Sequence, residues 1–595
     1  MTTDSKDDPI TNEAELDKMS QNLARVDELT QRLLAAVSSK KEVRQSLQGP
    51  SNDLFMRAAT AYVAEMMANP SKIIEHQISY WGKSVKHYVE AQEALAKGKL
   101  EAPQDPTPSD RRFTNPLWET HPYFNFLKQQ YMLNAEAVGQ AVQDIDHLDP
   151  REKQRIEYFS RQIVDMFSPA NFLGTNPDAL SRAVETDGES LVKGLENLVA
   201  DLEANEGDLL VTLADKDAFQ VGGNIATTPG KVVFRNRMFE LIQYAPSTQK
   251  VKETPLIIFP PWINKFYILD LKAQNSLIKW VVEQGYTLFV VSWVNPDTSY
   301  ADVALDDYIE EGYLEAIAQV KEICDVKQVN AVGYCIAGTT LSLTLAMMKK
   351  RGDDSIKSAT LFTTLTDFSD QGEVGVFLND DFIDGIEAEC AETGILRSFF
   401  MTRTFSFLRS NDLIYGPAIK SYMMGEAPPA FDLLYWNGDA TNLPGKMAVQ
   451  YLRGLCQKDQ FASKGLEICG ETVRISDVDV PLCAIACETD HIAAWKSSYR
   501  GVQQMSGDCM FILSESGHIA GIVNPPSKKK YGHYVNPDLS LSPQDWQAQA
   551  EFAPGSWWGR WSDWLASHSG GEVSARQPGA KERETLGDAP GTYVL

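Results

Sequence analysis

The sequence predicts an α/β protein: a largely parallel, doubly wound sheet with an inserted cap, preceded by an all-helical region. Three observations lead there. After Gly222, eight short apolar runs (KVVFRN, MFELIQY, PLIIFP, TLFVVSW, QVNAVGY, ATLFTTL, PLCAIAC and CMFILS) read as strands, with helical stretches between most of the later ones. Between about Asn52 and Ala200 there is no such alternation; FMRAATAYVAEMM and FNFLKQQYMLNAEAV are helical and aromatic, with Pro and Asp clusters between segments. The fifth run, QVNAVGY, passes through Cys335 directly into the helical stretch TTLSLTLAMMKK.

In chain order, residues 1–215 are expected to form the helical domain, of which 1–50 are an amphipathic and flexible lead. Leu16, Met19, Leu23, Val26, Leu33 and Val37 follow three/four spacing there, interrupted by Thr30. Such a helix packs on its own domain or docks to a partner or an apolar surface. Residues 216–570 are expected to form the catalytic domain. Its alternation breaks from about Asp367 to Pro444, where phenylalanines, methionines and irregular loops suggest a cap over the site. Trp557, Trp561 and Trp564 stand at helical spacing and read as a docked core helix. The polar stretch Ser567 to Glu584 and the tail 571–595 read as flexible.

Composition narrows the function classes. Of 595 residues 43% are apolar, enough for two large units. Fifty-five basic residues against 81 acidic ones leave a net charge of −26, with no basic block that could track a phosphate backbone, so nucleic acid is not an expected partner. MTTDSKDDPI lacks the features of a secretory signal, and the longest apolar runs, PLIIFPPW and TLFVVSWV, fall far short of the roughly 18 residues of a spanning helix. A cytoplasmic protein without a transmembrane segment is expected. The eight cysteines then read as free thiols, and Cys483 and Cys487 as strand residues among apolar neighbours, with no metal site expected.

The turn at Cys335 has the form of a nucleophile elbow: a strand, a strained residue and a helix, with small neighbours that let two backbones approach. Gly333 stands two residues before Cys335, and Ala337 replaces the usual glycine two after it. Triads of the α/β-hydrolase fold run nucleophile, acid, histidine. Here Cys335 is followed by Asp490, just past PLCAIAC, and by His518, after CMFILS; both lie where loops leave strand ends. His491 and His533 compete for the base role, but SESGHIAGIVNPP places His518 in a glycine-flanked loop after the last of these strands. In this arrangement His518 takes the proton of the Cys335 thiol and Asp490 orients the imidazole. The backbone N–H of Ile336 is one candidate oxyanion donor; that of Trp262, in PPWIN, is the other. A cysteine nucleophile also suits acyl transfer, because its acyl thioester lies near the energy of a thioester substrate.

GYCIAGT, FPPWINKFYILDL, SWVNPD, DDYIEEG, FDLLYWNGDATNLPG, ETDHIAAW and SGHIAGIVNPP together resemble the poly(3-hydroxyalkanoate) synthases, over roughly residues 105 to 570. A full-length chain with its own helical domain resembles class I of that family. The resemblance implies that (R)-3-hydroxyacyl groups, 3-hydroxybutyryl foremost, leave coenzyme A for Cys335 and are then joined as esters, with His518 serving both steps. It implies no resident cofactor, since coenzyme A is the leaving group. It also implies a homodimer at the surface of polyhydroxyalkanoate granules, in contact with the growing polyester and with granule-associated proteins. The helix from Leu16 and the final GTYVL are candidates for such contacts, Trp436 reads as structural or interfacial, and Lys265 or Arg237 as local cations for coenzyme A. Two rival readings are a cysteine thioesterase or esterase of the same fold and a catalytically silent granule-coating protein; the latter calls for a damaged triad, and the sequence has none.

Overall fold

The structure, a computed structural model, describes residues 9–39, 47, 52–68, 70–96, 110–145, 148–579 and 584–595. It comprises two compact units, Met1–Leu213 with Phe405–Pro429, and Ala214–Thr404 with Ala430–Leu595.

The first unit is helical. Its main helices are α1 (Pro9–Ser38), α2 (Asn52–Ala68), α3 (Pro70–Ala96), α4 (Pro122–Gln143), α5 (Pro150–Met166), α6 (Pro177–Glu185) and α7 (Glu189–Ala204). Helix α1 packs on α7 through Leu29, Val192 and Val199, flanked by Val26, Leu33 and Leu195. Arg25 pairs with Glu189 and Glu196, and Arg32 with Glu203, beside this seam. The packed face is Val26, Leu29, Leu33 and Ala36, one side of a 3.6-residue helix. Leu23 and Val37 of the expected stripe are instead 59% and 52% exposed, and the side chains of Leu16 and Met19 lie outside the described residues. A second core gathers Phe113, Trp118, Phe124, Tyr131 and Ala170. Beside it Arg112 donates to the Tyr131 hydroxyl at 2.8 Å and to Asp165 at 2.7 Å.

The expected cap, 367–444, is not one piece. Phe405–Pro429 belongs to the helical unit, because its polar groups find their partners there. Tyr422 donates its hydroxyl to Asp201 at 2.6 Å, Asn197 donates to the Ser421 carbonyl at 3.1 Å, and Tyr158 to the Phe407 carbonyl at 2.8 Å. Gly194 is obligatory at this contact, since a Cβ there would lie 2.0 Å from the Tyr422 carbonyl oxygen.

The second unit is built on an eleven-stranded sheet. Numbered along the chain within this sheet, the strands are β1 (Gly230–Arg235), β2 (Phe239–Tyr244), β3 (Leu256–Phe259), β4 (Leu288–Trp293), β5 (Val329–Tyr334), β6 (Ile356–Phe362), β7 (Leu482–Cys487), β8 (Cys509–Ser514), β9 (His533–Val535), β10 (Glu551–Ala553) and β11 (Gly587–Asp588). Their order is β10-β9-β8-β7-β6-β5-β3-β4-β2-β1-β11. The central run from β8 to β4 is parallel, and both flanks are antiparallel. The central strands β3, β4, β5 and β7 are buried at every position, which is why their sequences are continuous apolar runs instead of alternating ones. Helices α8 (Leu277–Glu283), α9 (Glu315–Cys324) and α10 (Ile336–Arg351) connect the parallel strands, and α11 (Trp495–Gln504) crosses from β7 to β8.

Helix α12 (Trp558–Ser567) buries Trp558 and Trp561, and Trp557 just before it is buried too, while Trp564 packs partly buried against the same core. The tail expected to be flexible is docked wherever it is described. Glu572–Ser574 pairs with Lys250–Lys252, and β11 extends the sheet beside β1. At its end, the fully buried carboxylate of Glu240 accepts the backbone N–H groups of Thr592 and Tyr593 at 2.8 and 3.0 Å, and Val594 enters the core. The polar composition that suggested disorder serves here to saturate a buried carboxylate and a sheet edge. Among the described residues, no helix is long and apolar enough to cross a membrane.

Candidate active site

Register places the site. Within the parallel run, Phe259 pairs with Gly333, Tyr334 with Phe362, and Cys487 with Ser514. The loops leaving β3, β5, β7 and β8 therefore emerge along one edge of the sheet, where ligands of open α/β sheets collect. Trp262, Cys335, Asp490 and His518 lie on those four loops, each within a few residues of a strand end.

Cys335 joins β5 to α10 with φ 55° and ψ −126°, a region L-residues rarely enter, at a typical cost of about 1–3 kcal/mol. Its N–H donates to the Phe362 carbonyl at 2.8 Å, and its carbonyl accepts from the Gly338 N–H at 2.9 Å and the Thr364 hydroxyl at 3.2 Å. The turn is thus held from β6 on one side and α10 on the other. Glycine is needed at 333 and at 338. A Cβ on Gly333 would stand 2.5 Å from the Gly338 Cα, and one on Gly338 would stand 2.0 Å from the Thr364 hydroxyl. Ala337, where a glycine is usual, is fully buried and offers its carbonyl to the Tyr313 hydroxyl at 2.8 Å. The close approach has moved one position along the helix. The sequence carried that signal in the pair Ala337-Gly338, but spacing alone did not assign it.

Asp490 and His518 meet across the β7 and β8 loops. Asp490 Oδ2 lies 2.7 Å from His518 Nδ1, and Asp490 Oδ1 accepts the N–H groups of Ile492 and Ala493 at 2.8 and 2.9 Å. These donors fix the carboxylate before the imidazole engages it. His518 is 8% exposed, and the Cys335 sulfur is near enough to act on its imidazole electrostatically. Burial pulls the His518 pKa down, but the Asp490 carboxylate and the Cys335 sulfur outweigh it and set the imidazole well above its ordinary value. The imidazole lies 5.9 Å from the Tyr334 ring, nearly parallel to it, and the Tyr334 hydroxyl donates to the His518 carbonyl at 3.3 Å.

The turn carrying His518 is pressed onto β7. A Cβ on Gly521 would lie 2.4 Å from the Cys487 sulfur. Trp557 and Trp558 donate their indole N–H groups to the carbonyls of Gly521 and Ile522 at 2.7 and 2.8 Å. The tryptophan-rich helix thereby supports the histidine loop.

As the first residue of α10, Ile336 has no intrahelical acceptor for its N–H. Trp262 is buried, and its indole N–H donates to Thr340 on the second turn of α10 at 3.2 Å. Its ring packs against Tyr308 and Tyr451, and Tyr451 meets Phe368. This aromatic wall beside the start of α10 was not singled out in the sequence, where its members are spread between positions 262 and 451. The rival histidine His533 is engaged elsewhere, with Nδ1 at 3.0 Å from the Gly555 carbonyl and Nε2 at 3.3 Å from Arg560. Neither of the two cations suggested for coenzyme A is free. Arg237 pairs with Glu311, and Lys265 is buried with its ammonium 3.5 Å from the Tyr593 carbonyl. Trp436 is buried and donates to the Lys265 carbonyl at 2.7 Å, in a structural position. Cys483 and Cys487 are sealed within β7, and no group of three metal-ligating side chains gathers among the described residues.

Comparison with known proteins agrees with this architecture. Residues 109–281 match the family described as the poly-beta-hydroxybutyrate polymerase (PhaC) N-terminus, and residues 255–525 match the alpha/beta hydrolase fold. The chain is 40% identical over 552 residues to a poly(3-hydroxyalkanoate) polymerase of Methylorubrum extorquens, covering 92% of this chain and 91% of the relative. It is 41% identical over 512 residues to the poly(3-hydroxyalkanoate) polymerase subunit PhaC of Cupriavidus necator, covering 84% and 85%. A third relative, poly(3-hydroxyalkanoate) polymerase 2 of Ectopseudomonas oleovorans, is 35% identical over 497 residues, covering 83% and 88%. With this much of the sequence shared along nearly the whole length, the chain belongs to the poly(3-hydroxyalkanoate) polymerases, enzymes of the acyltransferase type built on the α/β-hydrolase fold.

Proposed function

We propose that the enzyme joins (R)-3-hydroxyacyl groups, 3-hydroxybutyryl foremost, from coenzyme A thioesters into poly(3-hydroxyalkanoate) through an acyl thioester on Cys335. The observation that carries this reading is the contact chain from Asp490 to His518 to Cys335 at the ends of three parallel strands. His518 removes the thiol proton, and the Cys335 sulfur attacks the thioester carbonyl. The bond to the coenzyme A sulfur breaks, and the departing thiolate takes the proton from His518. The N–H groups of Ile336 and Trp262 receive the oxyanion between those events.

In the second step the hydroxyl of the next unit gives its proton to His518 and attacks the acyl-Cys335 carbonyl. An ester bond forms, the carbon–sulfur bond breaks, and the proton returns to the sulfur. Asp490 keeps the imidazole oriented and supports its cationic form in both steps. Water competes with the hydroxyl, and the wall of Trp262, Tyr308, Tyr451 and Phe368 is suited to exclude it. The chemistry calls for no resident cofactor. A homodimer working in the cytoplasm at the surface of the polyester granule, with granule-associated proteins beside it, completes the proposal.

The test supplies (R)-3-hydroxybutyryl-CoA to the protein and to Cys335→Ala, following coenzyme A release and turbidity together. Release with turbidity in the parent and neither in the variant is expected. Release without turbidity in the parent identifies a thioesterase, and absence of both identifies a silent coat protein.

A further inference from the structure

We propose that Lys528, Lys529 and Lys530 form the docking site for the phosphates of the coenzyme A thioester. The inference rests on the thioester reading above and names the part of the substrate that this loop holds.

Three adjacent lysines are an exception in a chain of net charge −26. All three are exposed, and no ion pair involves them among the described residues, whereas Lys231, Lys272, Lys349 and Lys350 each have a carboxylate partner. Adjacent like charges repel one another, so an unneutralised run on an acidic protein is a local sink for anions.

The run is also held in shape. Pro526–Lys528 form a short 3-10 turn, and Lys529 and Tyr531 both take left-handed backbone conformations, each with φ 49°. The buried side chain of Asn524 donates to the carbonyls of Lys530 and Tyr531, both at 3.0 Å. This fixes the backbone that carries the ammonium groups and lowers the ordering cost of binding.

Position supplies the link to the chemistry. The lysine run and His518 lie on the two limbs of a single excursion between β8 and β9. Its base is closed by the Glu515 N–H donating to the Gly532 carbonyl at 2.9 Å and the Gly532 N–H donating to the Glu515 carboxylate at 2.6 Å. Both limbs leave the sheet edge at which Cys335 stands. A thioester entering from this edge has its reacting carbonyl at Cys335 and His518 and its phosphates at the outer limb. The cations suggested from the sequence, Lys265 and Arg237, are engaged elsewhere, and the lysine run takes their place. Its three charges are too few to follow a nucleic acid backbone and are matched in number to a compact nucleotide phosphate cluster.

The test compares the protein with K528Q/K529Q/K530Q on two substrates, (R)-3-hydroxybutyryl-CoA and the phosphate-free (R)-3-hydroxybutyryl-N-acetylcysteamine thioester. For the coenzyme A ester, kcat/KM is expected to fall about tenfold, as three exposed ion pairs allow, mainly through KM. The loss should shrink as ionic strength rises. Turnover of the phosphate-free thioester should be far less affected, and adenosine 3′,5′-bisphosphate should compete about tenfold less well with the variant. Equal losses on both thioesters, or no loss on either, overturn the proposal. Failure of the thioester reading registers separately, as coenzyme A release by Cys335→Ala or as no release by the parent protein.

Discussion

Asp490 and His518, drawn together at 2.7 Å, belong to loops of two neighbouring parallel strands, and the carboxylate is already held by two backbone N–H groups. Burial alone would push the imidazole below its ordinary pKa; the carboxylate and the Cys335 sulfur reverse the sign.

The reversal makes a pH prediction. A raised folded pKa means that His518 contributes stability fully below about pH 6.5, and that this is lost as pH rises through the higher folded value. Where His518 must be neutral to accept the hydroxyl proton, turnover should rise with pH through an apparent pKa above the ordinary one. Asp490→Asn leaves burial acting with less opposition. Its pH–rate limb should move to lower pH while kcat falls by two or more orders of magnitude, roughly the scale seen when such an orienting carboxylate is lost. A rate profile of the two proteins checks the direction.

At the elbow, Gly338→Ala should be far worse than Ala337→Gly. The first puts a methyl against Thr364 in a packed turn and should cost about 1–3 kcal/mol, along with most of the activity. The second only adds backbone freedom in a helix, at about 0.5–1 kcal/mol. Urea denaturation with parallel activity measurements separates them.

Trp557→Phe keeps most of the apolar volume but leaves the Gly521 carbonyl without its indole donor. The carbonyl keeps the Ser514 hydroxyl as a donor at 3.2 Å, so the loss of one buried hydrogen bond should cost about 0.5–1.5 kcal/mol. Because Gly521 belongs to the turn carrying His518, protection from hydrogen exchange in residues 517–523 should fall more than in β5.

Removing Thr592 to Leu595 takes two N–H donors from the buried Glu240 carboxylate and Val594 from the core. A loss of at least about 3 kcal/mol is expected, and Glu240→Gln in the intact chain should lose less. Denaturant midpoints of the two variants order them.

The central strands were legible because strands buried on both faces are largely apolar, as in TLFVVSW and PLCAIAC. His533–Val535, Glu551–Ala553 and Gly587–Asp588 were not, since strands of two or three residues on a sheet flank carry no period and owe their form to a neighbour. Cys335, Asp490 and His518 could be picked out because the fold dictates their order and places each just past a strand. Tyr451 and Thr364 could not, since nothing local marks a residue that meets the elbow only after folding. The division of the cap likewise depends on Asp201 and Asn197 reaching Tyr422 and Ser421 across more than two hundred residues. The tail was misread for a similar reason: its anchor, Glu240, lies some 350 residues earlier in the chain.

The most direct measurement is rapid acid quenching of the enzyme with (R)-3-hydroxybutyryl-CoA, followed by proteolysis and mass spectrometry of the peptide that contains Cys335. The account predicts 3-hydroxybutyryl units attached to the Cys335 sulfur within the first turnover, labile to hydroxylamine and absent from Cys335→Ala. Acyl groups found on another residue, or coenzyme A released at the parent rate by Cys335→Ala, would contradict it.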